Sequence, residues 1–138
     1  MNTVGHLING EIVTTGDRKQ DVFNPATGEV SKQVALATKE TVEAAIATAQ
    51  AAYPQWRSTP LGKRAAVMYR FRQLLEENAD KICQMIGEEH GKIHHDAAGE
   101  LQRGIENVEY ACGIAQLLKG EHSRNTGPDI DSWSEFQP

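Results

Sequence analysis

The chain has 138 residues, of which 39% are hydrophobic, 24% are charged and only 6% are aromatic. That length corresponds to one domain, and the low aromatic content is thin for a self-sufficient core. The formal net charge of −5 opposes contact with a phosphate backbone and therefore excludes nucleic-acid partners. Neither a polybasic patch nor a long apolar run indicates a membrane partner.

The amino-terminal residues MNTVGHLING contain no basic region followed by an apolar stretch, so they predict no secretory signal. They also lack the Arg- and Ser-rich character of an organelle import leader. Cys83 and Cys112 belong to no CxxC pair, and two such cysteines do not form a disulfide framework. We therefore predict a cytoplasmic protein with reduced thiols.

Short strands are predicted in the first 36 residues. Within residues 4–13, two apolar runs flank Asn9-Gly10, the dipeptide that best tolerates the positive φ angles of a two-residue hairpin turn. A β-hairpin is expected there. Beyond it the sequence predicts a strand, a turn and another strand at residues 21–23, 24–28 and 30–36.

Four amphipathic helices are predicted next. Thr38 caps the first, and the Tyr53-Pro54-Gln55-Trp56 segment is expected to end it. The first helix is predicted over residues 38–52, the second from residue 60, the third after residue 78 to about residue 91, and the fourth over about residues 95–112. Apolar side chains recur at i, i+3, i+4 and i+7 in these helices, which indicates core faces. We expect part of this apolar surface to stay uncovered in the chain alone.

The pattern changes after Lys119-Gly120. Residues 122–129 are polar and predict a turn-rich segment, whereas residues 131–138 predict a short edge strand that contains Trp133 and Phe136. No partner strand is expected nearby in the sequence. An unpaired edge is therefore predicted, which intact proteins usually avoid.

Several short motifs occur in a fixed order. They are INGE at residues 8–11, NPATGE at 24–29, YPQW at 53–56 and EHGK at 89–92, with Arg64 and the 71–75 segment between them. In this order and with these gaps they resemble the N-terminus of aldehyde dehydrogenases. A narrower match, GELQRGIENVEYACG at residues 99–113 with LLKGEHS and DIDSW after it, resembles the CoA-acylating methylmalonate-semialdehyde dehydrogenase subfamily.

The resemblance implies an α/β fold, in which an N-terminal hairpin and short strands precede about four helices and a terminal strand. Residues 1–120 would be an incomplete NAD-binding domain, and residues 121–138 would begin the oligomerisation-domain strand of a homo-oligomer. The family's catalytic cysteine, its oxyanion-donating asparagine and its NAD-binding glycine segment would all lie beyond Pro138. This sequence itself contains no GxGxxG after a strand.

The resemblance therefore implies the N-terminal fragment of an NAD-dependent, CoA-acylating enzyme that oxidises methylmalonate or malonate semialdehyde. NAD and coenzyme A would be cosubstrates of the intact enzyme, and neither is expected to bind this chain alone. We predict that the chain alone is inactive. The alternative is a non-catalytic truncated module that pairs its terminal strand with full-length subunits.

Arg103 is the candidate substrate-binding residue. The resemblance implies that its guanidinium binds the substrate carboxylate, which it can contact at two points. Helical spacing alone places Arg103 away from the apolar stripe of its helix, so a solvated surface arginine is the alternative. Gly104, directly beside it, would let another backbone or the substrate come near.

No catalytic residue and no metal site are predicted. Cys83 and Cys112 occupy apolar stripe positions, where cysteine behaves as a small buried hydrophobe rather than a reactive thiolate. A polar segment around Gly91 contains possible metal ligands, but the glycine is expected to interrupt the helix between them, and a third fixed ligand is lacking. These residues are Glu88, Glu89, His90, His94, His95 and Asp96.

Overall fold

The computed structural model describes residues 2–137. Seven strands and five helices are formed within this range. In chain order they are β1 (Thr3–Val4), β2 (His6–Ile8), β3 (Glu11–Val13), β4 (Lys19–Phe23), β5 (Val30–Ala35), α1 (Lys39–Ser58), α2 (Leu61–Glu77), α3 (Ala79–His90), α4 (His94–Cys112), α5 (Ile114–Leu117), β6 (His122–Gly127) and β7 (Ile130–Trp133).

The chain forms two compact units. The first unit contains the residues up to Thr59 together with residues 78–102, and the second contains residues 60–77 together with the residues from Arg103 onwards. Helix α4 therefore contributes its first half to one unit and its second half to the other. Among the described residues, no helix is both long enough and apolar enough to cross a membrane.

The strands of the first unit follow the predicted pattern. β2 and β3 form the expected antiparallel hairpin, and its turn residues Asn9 and Gly10 have φ angles of 52° and 79°. A three-stranded sheet has the order β1-β5-β4, with β1 parallel and β4 antiparallel to the central β5. The predicted turn before β5 is also present, since the N–H of Gly28 donates to the Asn24 carbonyl at 2.8 Å.

Helix α1 begins as predicted but does not end where predicted. The Thr38 hydroxyl accepts from the N–H of Thr41 at 3.3 Å, which is the expected cap. Pro54 lies inside the helix, so the prediction that its segment terminates α1 was wrong. Proline removes one helical N–H, and the helix continues to Ser58, after which the N–H of Thr59 donates to the Gln55 carbonyl at 3.1 Å.

Helix α3 ends as predicted at Gly91, which adopts the left-handed φ of 72° and donates its N–H to the Gly87 carbonyl at 2.9 Å. Only glycine takes this conformation without a steric cost. Cys83 of α3 is 3% exposed, and Ala97, in the first half of α4, is fully buried. These two small side chains form part of the core of the first unit.

The second unit buries Ala65, Ile105 and Cys112, and α5 contacts α2 within it. Its hairpin corrects two predictions. Residues 122–127 form strand β6 rather than a turn-rich segment, and β7 pairs with β6 rather than presenting an edge without a neighbour. Asp129, with a φ of 59°, lies in the turn between the two strands, whereas Asn125, with a φ of 53°, lies inside β6 where the register shifts. Asn and Asp tolerate positive φ better than other side chains.

Apolar side chains on α1 and α2 remain uncovered, as expected for the chain alone. Val42 and Ile46 of α1 are 48% and 61% exposed, and Val67 and Phe71 of α2 are 53% and 46% exposed. On α3 and α4, by contrast, the predicted stripes include the most buried residues. The helical period of 3.6 residues therefore predicts where apolar side chains line up on a helix, but not which of these stripes the chain itself buries.

Candidate functional site

Helix α4 fixes the position of the predicted site residue, Arg103. Its sequence forms a helix because Ala97, Ile105 and Cys112 recur at helical spacing and are 0%, 5% and 7% exposed. Arg103 lies two residues before Ile105 and is exposed. At 100° per residue, this places its side chain on the side of α4 opposite the core.

The guanidinium of Arg103 has no anionic partner in the described structure. Within residues 2–137, no carboxylate oxygen lies within 4.0 Å of it. Its backbone carbonyl accepts from Nδ2 of Asn107 at 2.8 Å, which orients that amide but leaves the charge uncompensated. Arginine is permanently charged and presents a planar set of donors that matches a carboxylate. Arg103 is thus chemically able to bind a carboxylate-bearing ligand.

Arg72 in the same unit has the opposite arrangement. Its Nε donates to Oε1 of Glu109 at 2.6 Å, and its Nη1 donates to Oε2 of Glu76 at 2.8 Å. The hydrogen bond that Arg72 donates to Glu109, together with the charge of Glu76, raises the pKa of Arg72 above its usual value. This cluster joins α2 to the second half of α4. Of these two pairs, only Arg72 with Glu76 can be predicted from the sequence, because these residues are four apart on one helix.

Gly104 leaves the helix surface next to Arg103 bare. A Cβ atom built on Gly104 would meet no described atom within 4 Å, apart from its two chain neighbours and the local helix backbone. Gly62 of α2 is equally open, whereas a Cβ on Gly113 would approach the Tyr110 carbonyl to 3.3 Å. Packing within the described chain therefore does not require a glycine at position 104.

The two cysteines are core residues, as predicted. Cys83 and Cys112 are 3% and 7% exposed, and neither forms a disulfide. Both are apolar stripe positions, Cys83 on α3 and Cys112 at the end of α4. Neither thiol is presented to a substrate.

The histidines around Gly91 do not share a helix face. His90 is the last residue of α3 and His94 the first of α4, because the left-handed Gly91 interrupts the helix as the sequence predicted. His94 Nε2 lies 3.8 Å from Oδ1 of Asp80. Within residues 2–137 no three side chains of the His, Cys, Asp and Glu types are grouped closely enough to hold a metal ion.

Residues 12–138 match the aldehyde dehydrogenase family. The chain is 60% identical over its whole length to malonate-semialdehyde dehydrogenase of Pseudomonas aeruginosa, of which it covers 28%. It is 41% identical, over 98% of its length, to the acylating mitochondrial methylmalonate-semialdehyde dehydrogenase of Arabidopsis thaliana, of which it covers 22%. The chain thus spans about a quarter of the length of these relatives.

Solved structures agree with the sequence comparison. The crystal structure of methylmalonate-semialdehyde dehydrogenase from Oceanimonas doudoroffii is 70% identical, with a TM-score of 0.96 over 100% of this chain and 28% of that one. A structure from Sinorhizobium meliloti in complex with NAD is 43% identical, with a TM-score of 0.95 over the same shares. The predicted resemblance and α/β fold class are confirmed. The chain belongs to the aldehyde dehydrogenase family.

Proposed function

We propose that this chain supplies the carboxylate-binding arginine of an NAD-dependent, CoA-acylating dehydrogenase that acts on malonate or methylmalonate semialdehyde. The observation that carries the proposal is the uncompensated guanidinium of Arg103 on the exposed side of α4. The names of the Pseudomonas and Arabidopsis relatives support the substrate class, because both semialdehydes carry a carboxylate beside the aldehyde.

Arg103 would bind and orient the substrate rather than react with it. Two parallel N–H···O bonds to a carboxylate fix both the position and the plane of that group. Holding the carboxylate in one orientation also limits the orientations of the aldehyde, which is joined to it through a single carbon. Such positioning lowers the entropic part of the reaction barrier.

NAD and coenzyme A would be cosubstrates of the whole enzyme. The described residues contain no glycine-rich loop that follows a strand and opens a helix, which is the element that normally holds a dinucleotide. No cofactor contact is therefore assigned to this chain, and residues 1–120 would form the incomplete N-terminal part of an NAD-binding domain. The described residues also present no reactive thiol, so we propose that the chain alone is inactive.

Residues 121–138 would begin the oligomerisation segment of a homo-oligomer. Strands β6 and β7 form a separate two-stranded sheet, on which Ile130 and Trp133 are 56% and 76% exposed. Large exposed apolar side chains of this kind mark protein–protein contacts. They also favour the second candidate function, a non-catalytic module that pairs with full-length subunits.

Size-exclusion chromatography tests this second candidate. The 138-residue chain is run with and without full-length Pseudomonas aeruginosa malonate-semialdehyde dehydrogenase. Co-elution at a defined ratio, lost when Trp133 is changed to Ser, supports a pairing module. Elution of each protein at its own volume contradicts it.

A chimera tests the proposed function. In it, this chain replaces the matching N-terminal 28% of the Pseudomonas enzyme. With malonate semialdehyde, NAD and coenzyme A, the chimera should form NADH and an acyl-CoA thioester, whereas the 138-residue chain should form neither. Turnover should survive Cys83→Ala and Cys112→Ala. Turnover by the chain alone would contradict its proposed inactivity. Loss of turnover in either cysteine variant would instead show that a nucleophile had been mistaken for a core residue.

A further inference from the structure

Gly120 lies in the connection between α5 and β6, where a second backbone segment passes close to it. A Cβ atom built on Gly120 would overlap the carbonyl oxygen of Ser134 and lie 2.8 Å from its carbonyl carbon. Both atoms belong to the backbone, so no side-chain rotation can make room for a methyl group. Gly120 does not have a positive φ angle, and the requirement for glycine is therefore steric rather than conformational.

Two hydrogen bonds hold this second segment in place. The N–H of Ser134 donates to the carbonyl of Glu121 at 2.9 Å, and the hydroxyl of Ser134 accepts from the N–H of Glu121 at 3.2 Å. Because His122 pairs with Trp133 in the hairpin, these bonds extend the pairing of β6 and β7 by one residue. The approach of Ser134 to Gly120 thus closes the base of the hairpin.

The closed base fixes the position of two large apolar side chains. Trp133 directly precedes Ser134, and Phe136 follows it by two residues. Their side chains are 76% and 68% exposed. A methyl group on Gly120 would displace the Ser134 backbone, and Trp133 and Phe136 would move with it.

The charges of the hairpin favour a second copy of this chain as the partner of this surface. Arg124 lies on β6, whereas Asp131 lies on β7 and Glu135 follows that strand. All three are exposed, and none forms an ion pair within residues 2–137. One copy can therefore place its basic strand beside the acidic strand of another, and such complementary charges guide association.

We propose that Gly120 is a positioning residue for subunit assembly. By admitting the Ser134 backbone, it closes the base of the hairpin and presents Trp133 and Phe136 to a second copy of this chain. This inference rests on the proposed oligomerisation role of residues 121–138. Gly120 itself makes no contact with the partner, and its effect passes through the Ser134 backbone.

The test compares the chimera described above with its Gly120→Ala variant, and Gly127→Ala is the matched control. Gly127 lies at the other end of β6, where an added Cβ would lie 3.3 Å from Cδ1 of Ile130. The end of that side chain can move aside. Light scattering after size-exclusion chromatography, over a range of protein concentrations, measures the dissociation constant of the oligomer. Inserting a methyl group into filled space typically changes an equilibrium constant by about five- to over a hundredfold.

Gly120→Ala should raise the dissociation constant about fivefold or more, while its far-UV circular dichroism stays that of the unmodified chimera because the helices are unchanged. Gly127→Ala should assemble normally. Unchanged assembly of Gly120→Ala overturns the proposal. An equal loss in Gly127→Ala also overturns it, because the approach of the Ser134 backbone would then not be the cause.

Ser134→Ala provides a second variant in case Gly120→Ala gives no soluble chimera. It adds no atoms and removes only the hydroxyl that accepts from the N–H of Glu121. Loss of one hydrogen bond at the base of the hairpin should raise the dissociation constant about two- to tenfold. An unchanged constant in Ser134→Ala would count against the proposal.

Trp133→Ser separates this inference from the proposed function. It leaves Gly120 and Ser134 in place and removes a large apolar side chain from the proposed contact surface. If Trp133→Ser weakens assembly and Gly120→Ala does not, only the role of Gly120 is wrong. If the unmodified chimera is a monomer, or if Trp133→Ser leaves its assembly unchanged, the proposed oligomerisation role of residues 121–138 is itself wrong.

Discussion

Arg72 and Arg103 belong to the same compact unit and carry the same charge, yet their surroundings differ completely. Arg72 donates to Glu76 and Glu109 and joins two helices. Arg103, on the exposed side of α4, has no carboxylate within 4.0 Å in the part of the chain that the structure describes. The guanidinium of Arg72 is thus bonded to two carboxylates of its own chain, whereas the guanidinium of Arg103 is bonded to none within residues 2–137.

This difference separates structural charges from charges that are available to a ligand. A paired arginine contributes to the connection between its helices, and its charge is already offset by neighbouring carboxylates. An unpaired arginine on a rigid helix contributes little to folding, but its position is fixed by the buried residues on the opposite side. Substitutions should therefore divide into those that change stability and those that change substrate selectivity.

The largest effect on stability is expected for Ile105→Ala. Ile105 is 5% exposed, and removing a buried isoleucine side chain to alanine typically costs about 2–5 kcal/mol of unfolding free energy. Denaturant unfolding of the chain measures the loss. Val67→Ala, at a residue that is 53% exposed, should cost no more than about 0.5 kcal/mol. Equal losses would show that α4 is no better packed than α2.

A smaller loss is expected for Arg72→Leu, because its ion pairs are exposed to solvent and screened. The unfolding free energy should fall by less than in Ile105→Ala, and the loss should shrink at high salt. A double-mutant cycle with Glu109→Gln isolates the pair. Additive effects of the two substitutions would mean that the hydrogen bond seen between Arg72 and Glu109 does not contribute to stability.

The smallest effect concerns another paired cation, Lys32. Its Nζ donates to Oε1 of Glu89 at 2.8 Å, and this hydrogen bond raises the pKa of Lys32 above its ordinary value of 10.5. A raised pKa in the folded state gives stability that is fully present below pH 10.5 and is lost as the pH rises through the raised value.

Lys32→Met should therefore remove part of the stability at neutral pH and flatten its decline above pH 10.5. Thermal unfolding at several pH values measures both. Lys19→Met is the matched control, since Lys19 is an exposed strand lysine without an ion pair in residues 2–137. The same pH profile for both variants would assign no role to the Lys32–Glu89 pair.

Local signals in the sequence predicted much of this fold. Asn9-Gly10 identified the hairpin, Thr38 the start of α1 and Gly91 the end of α3, because each acts through backbone conformation within a few residues. Pro54 misled the prediction, because α1 continues through it to Ser58 although proline removes one helical N–H. The β6–β7 hairpin was also missed, because polar residues 122–127 have no apolar alternation to indicate a strand.

The site was less accessible from sequence than the fold. Spacing alone placed Arg103 away from the core but could not distinguish it from any other solvated arginine. Its unpaired state depends on which residues of α2 lie near α4, and that is a tertiary property. The partner of Arg72 illustrates the same limit, since Glu109 is 37 residues away in the chain.

The proposed function requires that the Arg103 guanidinium binds the substrate carboxylate. Its most direct test compares kcat/KM for malonate semialdehyde and for propanal, which lacks a carboxylate, in the chimera with Arg103→Leu. Loss of a charge-assisted hydrogen bond is worth about 1.5–3 kcal/mol, or roughly ten- to over a hundredfold in kcat/KM. Arg57, an exposed arginine in the last turn of α1, provides the control.

We expect Arg103→Leu to lower kcat/KM selectively for the semialdehyde and to raise its KM, while propanal oxidation is nearly unchanged. Arg103→Lys should restore only part of the activity, because an ammonium group cannot make the planar two-point contact. Arg57→Leu should alter neither substrate. Unchanged kinetics in Arg103→Leu, or an equal loss for the semialdehyde and propanal, would contradict the claim.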